Sequence, residues 1–455
     1  MTQVSTSPLV RHDDEQLLTG WGRTSPSLAT VVAVETTKDV CDAVRAAGSR
    51  GVLARGLGRS YGDAAQSGGA TVLDLRPLSH VELDLSSGTV TAGAGASLDD
   101  ILRLIVPAGY FVPVTPGTRM VTVGGAIAAD VHGKNHHVDG TFGSHVSSMT
   151  IVDGMGTTRS LTPEQSAREF WATVGGMGLT GVVTDATFDL IPITSSMISV
   201  DTERATDLDR VMARMIETDD DYRYSVAWID SVSASGRGVI TQGDHADAGR
   251  LRGKSDPLAY DPRPLASAPK IIPSGLLNNL TIRAFNEAWF RKHPAKRQGE
   301  LVPIGAFFHP LDGVREWNRI YGKRGFLQYQ FVVPDSAGHV VGIALERLRA
   351  AGAPSFLTVL KRFGAANAGP LSFPQPGWTL AADVPASIDG LGPVLDFLDD
   401  LVLSEGGRLY LAKDSRMSPQ MLTASYPRLA EWQSARDSMD PKHVFTSDLA
   451  RRLAL

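Results

Sequence analysis

Residues 113–137 read PVTPGTRMVTVGGAIAADVHGKNHH. The stretch opens on a proline-punctuated turn at 113–117. It then runs through a small apolar segment, 121–129, with Gly124 and Gly125 at its centre. Glycine has no side chain, so such a backbone can come close to a flat or phosphorylated ligand. The segment ends in Asp130, His132, Lys134, Asn135, His136 and His137. Titratable groups that directly follow residues reading as buried predict a cofactor wall meeting a reaction centre. A core strand with a solvated exit loop is the plain alternative. His132 and His136 stand at i, i+4, a metal-ligand spacing only on a helix; Gly133 and Asn135 argue against a helix, so no metal is expected.

Upstream, residues 52–54 read as a short strand leading into RGLGRSYGD, residues 55–63, with glycines at 56, 58 and 62. Exposed amides in such a loop form an anion-binding nest, and Arg55 and Arg59 add positive charge suited to a pyrophosphate. The spacing misses the dinucleotide fingerprint by one residue. A true G-x-G-x-x-G occurs at Gly176, Gly178 and Gly181, but residues 182–190 alternate as a strand and open no helix, so a Rossmann site is rejected. Residues 29–110 alternate strands and helices in an α/β pattern.

Downstream, the texture changes near Ser195. Strands at 197–201 and 224–229 flank a helix at 208–216. Pro257, Pro262, Pro264, Pro269 and Pro273 mark an irregular loop, a candidate lid. A helix at 276–290 follows, ending in WFRKHPAKRQ. Trp289 and Phe290 beside Arg291, Lys292, Lys296 and Arg297 suit either a membrane surface or, more commonly, a packed helix face with a solvated basic end. GFLQYQFVVP at 325–334 puts Gln328 and Gln330 on one face. With Lys361 and Asp383 on later strands, this predicts a polar pocket wall. Lys413 leaves an apolar run in GRLYLAKDSR, residues 407–416.

Composition narrows the function classes. A chain of 455 residues suggests two domains or three. A net charge of −5 argues against nucleic acid as a partner. The single Cys41 excludes an intrachain disulfide and a cysteine-based metal site. The N-terminal residues show no basic region leading into an apolar run, so no secretory signal is expected. No apolar run approaches the roughly 20 residues that span a bilayer, so membrane contact is expected to be peripheral.

RGLGRSYGD, PGTRMVTVGGAIAADVHGKNHH, GGMGLTG and DPKHVF together resemble the vanillyl-alcohol-oxidase superfamily of FAD enzymes. GWGRT, HGKNHH, FLQYQF, EWNR, YLAKDSR and SDLARRL spread a likeness to its polyprenylphosphoryl-ribose-oxidising branch over nearly the whole chain. The resemblance implies an α+β fold. A two-lobed PCMH-type FAD-binding domain takes residues 1–195, and a substrate domain with an antiparallel sheet flanked by helices takes 196–405. Residues 406–455 return to the FAD domain. The residues implied to hold FAD are Arg55, Gly56, Leu57, Gly58, Arg59, Ser60, Tyr61, Gly62, Pro116, Gly117, Thr118, Thr122, Val123, Gly124, Gly125, Ala129, Asp130, Val131, His132, Gly133, Asn135, Val183 and Tyr410. Those implied for substrate are Lys134, Trp228, Phe308, Gln328, Gln330, Lys361, Thr379 and Ala381, with Lys413 first and His132 second as catalytic groups.

The implied activity is oxidation of the 2'-hydroxyl of a polyprenylphosphoryl-β-D-ribofuranose to the 2'-keto sugar. That is the first half of an epimerisation supplying arabinose for cell-wall arabinan. An NAD(H)-dependent keto-sugar reductase is the implied partner subunit, with peripheral contact at the periplasmic face of the membrane and a cytoplasmic location as the alternative. An alditol or aldonolactone oxidase and a catalytically idle FAD-binding subunit are the competing readings. Where relatives carry serine, tyrosine, asparagine and cysteine, this chain has Val226, Phe308, Thr379 and Ala381. Ala381 removes the thiol that nitroaromatic inhibitors of the family attack.

Covalent members of the superfamily carry a histidine in the glycine loop where Arg59 stands, so non-covalent FAD is expected. Acid precipitation of the purified yellow protein should therefore release its flavin into the supernatant. Flavin that stays with the denatured chain would refute the assignment.

Overall fold

The strand Thr71–Asp74 lies between Ser27–Ala33 and Val52–Arg55 and pairs parallel with both. Asp14–Leu18 adds an antiparallel edge to Ser27–Ala33, giving a four-stranded first lobe. The computed structural model describes residues 14–251, 256–269 and 277–455. The expectations for residues 1–13, Pro273 and Leu276 lie outside the described residues. Helix Thr37–Arg45 starts at a capping box between Thr36 and Asp39 and buries Val40, Cys41 and Val44. Helix Leu98–Ile105 starts in the same way at Ser97 and Asp100.

The parallel α/β pattern stops after this first sheet. Val81–Asp84 and Thr89–Gly93 form an antiparallel hairpin, because a four-residue link is too short for the crossover that a parallel pair needs. They join Val182–Asp189, Val146–Val152 and Thr158–Leu161 in a five-stranded second lobe. The central segment is not a strand either. Thr122 is extended and its hydroxyl accepts from the Gly125 amide at 3.2 Å, so the small residues open a short helix, Val123–Ala128. His132 lies outside any helix, and His136 begins the short helix His136–Asp139.

An eight-stranded sheet follows. Its spatial order is Lys296–Pro303, Met197–Ala205, Gly238–His245, Tyr224–Ile229, Thr358–Phe363, Gly377–Pro385, Phe326–Val333 and Arg408–Leu409. The two-residue period sorts its faces. Ala227, Ile229, Ile240, Leu360, Leu380, Ala382 and Phe331 join the core that includes helices Leu208–Thr218, His339–Ala350 and Leu391–Ser404. The alternate residues, among them Gln328, Gln330, Ala381, Lys361, Trp228 and Val226, line a cavity on the opposite face.

The last part of the chain joins these bodies. Arg408–Leu409 forms one edge of this sheet, paired antiparallel with Phe326–Val333. Downstream, the Trp432 indole donates to the Ala172 carbonyl at 3.0 Å, and the amide of Val52 donates to the Val444 carbonyl at 2.8 Å. Arg452 bonds Asp63 at 2.7 and 2.9 Å and reaches Asp414 at 2.9 Å. Asp63 and Asp414 are both buried. Arg452→Met would leave two neighbouring buried carboxylates without their cation, which typically costs at least about 3 kcal/mol. Urea unfolding at pH 7 should show that loss; a change below about 1 kcal/mol would contradict it.

Candidate active site

The FAD-binding lobes and the polar face of the eight-stranded sheet enclose a cavity of about 1020 Å³. Residues 55–61 line it, as do Pro116, Gly117, Thr118, Thr122, Gly124, Gly125, Ala129, Val131, His132, Gly133, Val183 and Tyr410. So do Lys134, Trp228, Phe308, Gln328, Gln330, Lys361, Ala381 and Lys413. Residues separated by more than 350 positions in the chain thus face one space.

Five expected site residues stand behind this wall instead. A Cβ on Gly62 would meet the Asp414 carbonyl oxygen at 1.8 Å, so this glycine serves a backbone contact. Val123 is fully buried in the core. Buried Asp130 accepts from the Gly143 amide at 3.1 Å, Asn367 at 2.6 Å and Ser372 at 2.5 Å, pinning residues 367–372 to the FAD lobe. Asn135 donates to the Pro113 carbonyl at 2.7 Å. The Thr379 hydroxyl lies beneath Gln330, 3.4 Å from its amide nitrogen.

Arg55 lines the cavity and is also tied to backbone carbonyls. Its guanidinium donates to the carbonyls of Thr19, at 2.9 Å, and Ala65, so it braces the loop from inside. Arg59 lies over the Trp21 ring, 3.9 Å from its centroid, without a carboxylate partner among the described residues. The second glycine turn also behaves differently from expectation. A strand follows it, as read, yet Gly178 and Gly181 line the cavity.

The basic groups cluster where the lobes meet the sheet. The Lys413 ammonium lies 3.6 Å from the Tyr61 ring centroid. Burial brings Lys413 down from 10.5 to about 7, with Asp383 opposing that shift and Lys361 adding to it. Burial likewise pushes Asp383 up to about 7, against the Gln328 hydrogen bond and the Lys413 charge. One Asp383 oxygen accepts from Gln328, and the other has no hydrogen-bond partner among the described residues. Asp414 pairs with Arg452 at 2.9 Å, and among the described residues Lys413 forms no salt bridge with it. Burial also lowers Lys134 to about 7 and Lys361 to about 8.

His132 is held among Phe363, Phe373 and Tyr410 at ring distances of 4.8, 5.6 and 5.2 Å. Gln330 contacts its Nε2 at 3.1 Å, while buried Nδ1 has no hydrogen-bond partner among the described residues. Burial and the charges of Lys361, His136 and Lys413 hold His132 well below 6.5, so it is neutral at pH 7. The Tyr410 hydroxyl donates to the Ala129 carbonyl at 2.7 Å. Among the described residues no group of three or more His, Cys, Asp or Glu is arranged to hold a metal ion.

The lobe wall suits FAD. A Cβ on Gly117 or Gly178 would meet nothing within 4 Å, and one on Gly125 only the Thr122 hydroxyl at 3.2 Å. These glycines therefore leave open space for a closely approaching ring system.

Fold and site define an FAD-dependent oxidoreductase. An FAD binding domain is matched over residues 28–162 and a D-arabinono-1,4-lactone oxidase domain over residues 395–453. The chain is 45% identical over 450 residues to a decaprenylphosphoryl-β-D-ribose oxidase of Mycolicibacterium smegmatis, covering 96% of this chain and 97% of that one. It belongs to the decaprenylphosphoryl-β-D-ribose oxidase family of FAD-linked enzymes. An uncharacterized protein of Streptomyces coelicolor, from the mprA 5' region, is 38% identical over 371 residues, 79% of this chain and 100% of the relative. An alditol oxidase of a Streptomyces species is 24% identical over 454 residues, 96% of this chain and 98% of the relative.

Gly125→Leu tests the cofactor wall. The substitution favours the helix locally while projecting a side chain into the open space. The folded chain should keep its far-UV circular dichroism and lose FAD affinity by about 100-fold or more. Wild-type flavin content would contradict the assignment.

Proposed function

We propose that this chain oxidises the 2'-hydroxyl of a polyprenylphosphoryl-β-D-ribofuranose to the 2'-keto sugar. The observation that carries the reading is the position of Lys413 in the cavity wall, over Tyr61 and with Gln328 and Gln330 in the same wall. The name of the mycolicibacterial relative supports the substrate class.

When bound, FAD supplies the acceptor for the hydride leaving the carbinol carbon. Neutral Lys413 takes the hydroxyl proton, so the alcohol loses a hydride and a proton and becomes a ketone. Its ordinary value would leave almost no free amine at pH 7, but burial makes that form accessible. Tyr61 and Asp383 favour the ammonium once it forms. Gln328 and Gln330 hold the sugar hydroxyls, and neutral His132 keeps a hydrogen-bonding edge at the reaction centre without adding charge. The glycine-rich loop 55–61, the turn 116–118 and the start of helix Val123–Ala128 hold FAD. Trp228, Phe308 and Ala381 complete the substrate wall.

The keto product requires a second hydride donor for epimerisation, which supports an NAD(H)-dependent reductase as partner. A prenyl-linked substrate supports peripheral membrane contact. No helix among the described residues is long and apolar enough to cross a membrane. Phe290, considered for the membrane surface, lies against Arg204 and Arg237, 5.1 and 4.4 Å from its ring centroid, and Trp289 lines the cavity.

Lys413→Ala should slow anaerobic bleaching of the flavin by a prenylphosphoryl ribose ~10²–10⁴-fold while FAD stays bound. In the intact protein the free base is the active form, so the bleaching rate should rise with pH up to about 7 and level off above it. A variant rate within a few-fold of wild type, or a flat profile through that range, would remove Lys413 from the chemistry. Faster bleaching by free alditols than by the lipid-linked ribose would favour the alditol oxidase reading.

A further inference from the structure

Lys413 stands in the wall of two cavities. One is the large space of the reaction centre. The other, of about 20 Å³, shares Gln328, Gln330, Tyr410 and Lys413 with it. Its remaining wall comes from residues absent from the large cavity, among them Leu395, Ser415 and Arg416.

Strand geometry explains this gap. The Tyr410 amide donates to the Gln330 carbonyl at 3.1 Å, continuing the ladder that joins Arg408–Leu409 to Phe331 and Val332. Backbone groups two residues apart on a strand point the same way, so the amide and carbonyl of Gln328 point to that side too. The chain has turned away by then. The Lys413 and Asp414 amides both donate back to the Tyr410 carbonyl at 2.9 Å, and the Ala412 carbonyl accepts from Tyr61. On that side the Gln328 backbone meets no protein partner among the described residues. Such groups take water as partner, and the gap has room for about one molecule.

The gap also leads outward. Ser415 is half-buried, and its hydroxyl has no hydrogen-bond partner among the described residues. Arg416, at the same rim, is held by Asp399 at 2.8 Å and by exposed Asp396. Oxidation of an alcohol leaves a proton on Lys413, which must shed it before acting again. Bound FAD and sugar displace water from the large cavity, so the proton cannot leave by that side while product is present.

We propose that the small cavity holds a water through which Lys413 passes its proton to Ser415 and on to solvent before the keto product leaves. The proposal rests on Lys413 as the base and deepens that reading. The carbinol C–H pair goes to FAD as hydride, and the O–H proton goes to the Lys413 amine. The water then takes a proton from the ammonium and yields one of its own to the Ser415 hydroxyl, which yields one to bulk water. The net change is alcohol to ketone, one hydride to FAD and one proton to solvent.

The test mixes holoenzyme anaerobically with geranylgeranylphosphoryl ribose at about pH 8, in weak buffer containing a pH indicator. Burial brings Lys413 to about 7, so at that pH the proton it takes up is released. Wild type should release one proton per flavin bleached, at a rate within about 2-fold of bleaching. Leu395→Phe fills the small cavity from helix Leu391–Ser404, outside the walls of the large one. Its first-turnover bleaching should stay within about 3-fold of wild type, while proton release lags by about 10-fold or more. Ser415→Ala should also delay release, and Ser415→Thr, which keeps the hydroxyl, should restore it. Release that keeps pace with bleaching in either flavin-loaded variant, Leu395→Phe or Ser415→Ala, would overturn the proposal. So would wild-type release about 10-fold slower than bleaching.

A crystallographic arm is independent of activity. A high-resolution crystal structure of wild-type holoenzyme should show one ordered water within about 3.2 Å of both Lys413 Nζ and the Gln328 backbone, absent in Leu395→Phe. If no ribosyl ester bleaches the flavin, the oxidase reading fails, and the water site is then decided by the crystal. A dry small cavity in wild type would overturn the site itself.

Discussion

The active-site geometry depends on a backbone contact between the glycine loop and the C-terminal turn. The Tyr61 amide donates to the Ala412 carbonyl at 2.9 Å, and Gly62 sits so close to Asp414 that no Cβ fits between them. That contact sets Lys413 over the Tyr61 ring. It also joins a loop of the first lobe to residues that have just left the eight-stranded sheet. Arg452, bridging Asp63 and Asp414, holds the two sides together from behind. A rigid backbone joint beneath a flexible lysine is the arrangement that acid–base chemistry needs, because a loosely held base samples unproductive geometries.

The electrostatics follow from the same enclosure. Lys134, Lys361 and Lys413 are all depressed chiefly by burial, and Asp383 is raised chiefly by burial. Ion pairing with nearby carboxylates would instead have stabilised the ammonium forms and made Lys413 a poor base. The site therefore keeps its lysines largely unpaired, and a strong salt bridge such as Arg452 with Asp63 lies behind it. Neutral His132 fits this pattern, since another positive charge would compete with the lysines.

Several local features were legible in the chain. The capping boxes of helices Thr37–Arg45 and Leu98–Ile105 are built from residues within a few positions of one another, and two-residue alternation put Gln328 and Gln330 on one face. Other features were not. The run 121–129 has too little side-chain character to declare a helix, and the cap at Thr122 decides it. Arg55 reads as a phosphate ligand in sequence, and its bonds to the carbonyls at positions 19 and 65 were not legible there. Asp130 reads as part of the reaction centre, but its partners come from residues 367 and 372. In each case the deciding partner is remote in the chain, and local pattern carries no information about it.

By itself the sequence determined the materials: glycines where a ligand must approach, small residues after a capping threonine, amides and lysines alternating with core residues on strands. Those properties follow from steric size and the two-residue period, which each segment carries alone. Tertiary structure decided which groups meet. Strand register aligned Gln330, Ala381, Val359 and Trp228 into one wall, and the return of the C-terminal segment brought Lys413 to Tyr61. It also decided charge, because Lys413 has a lowered pKa only after other segments remove its water.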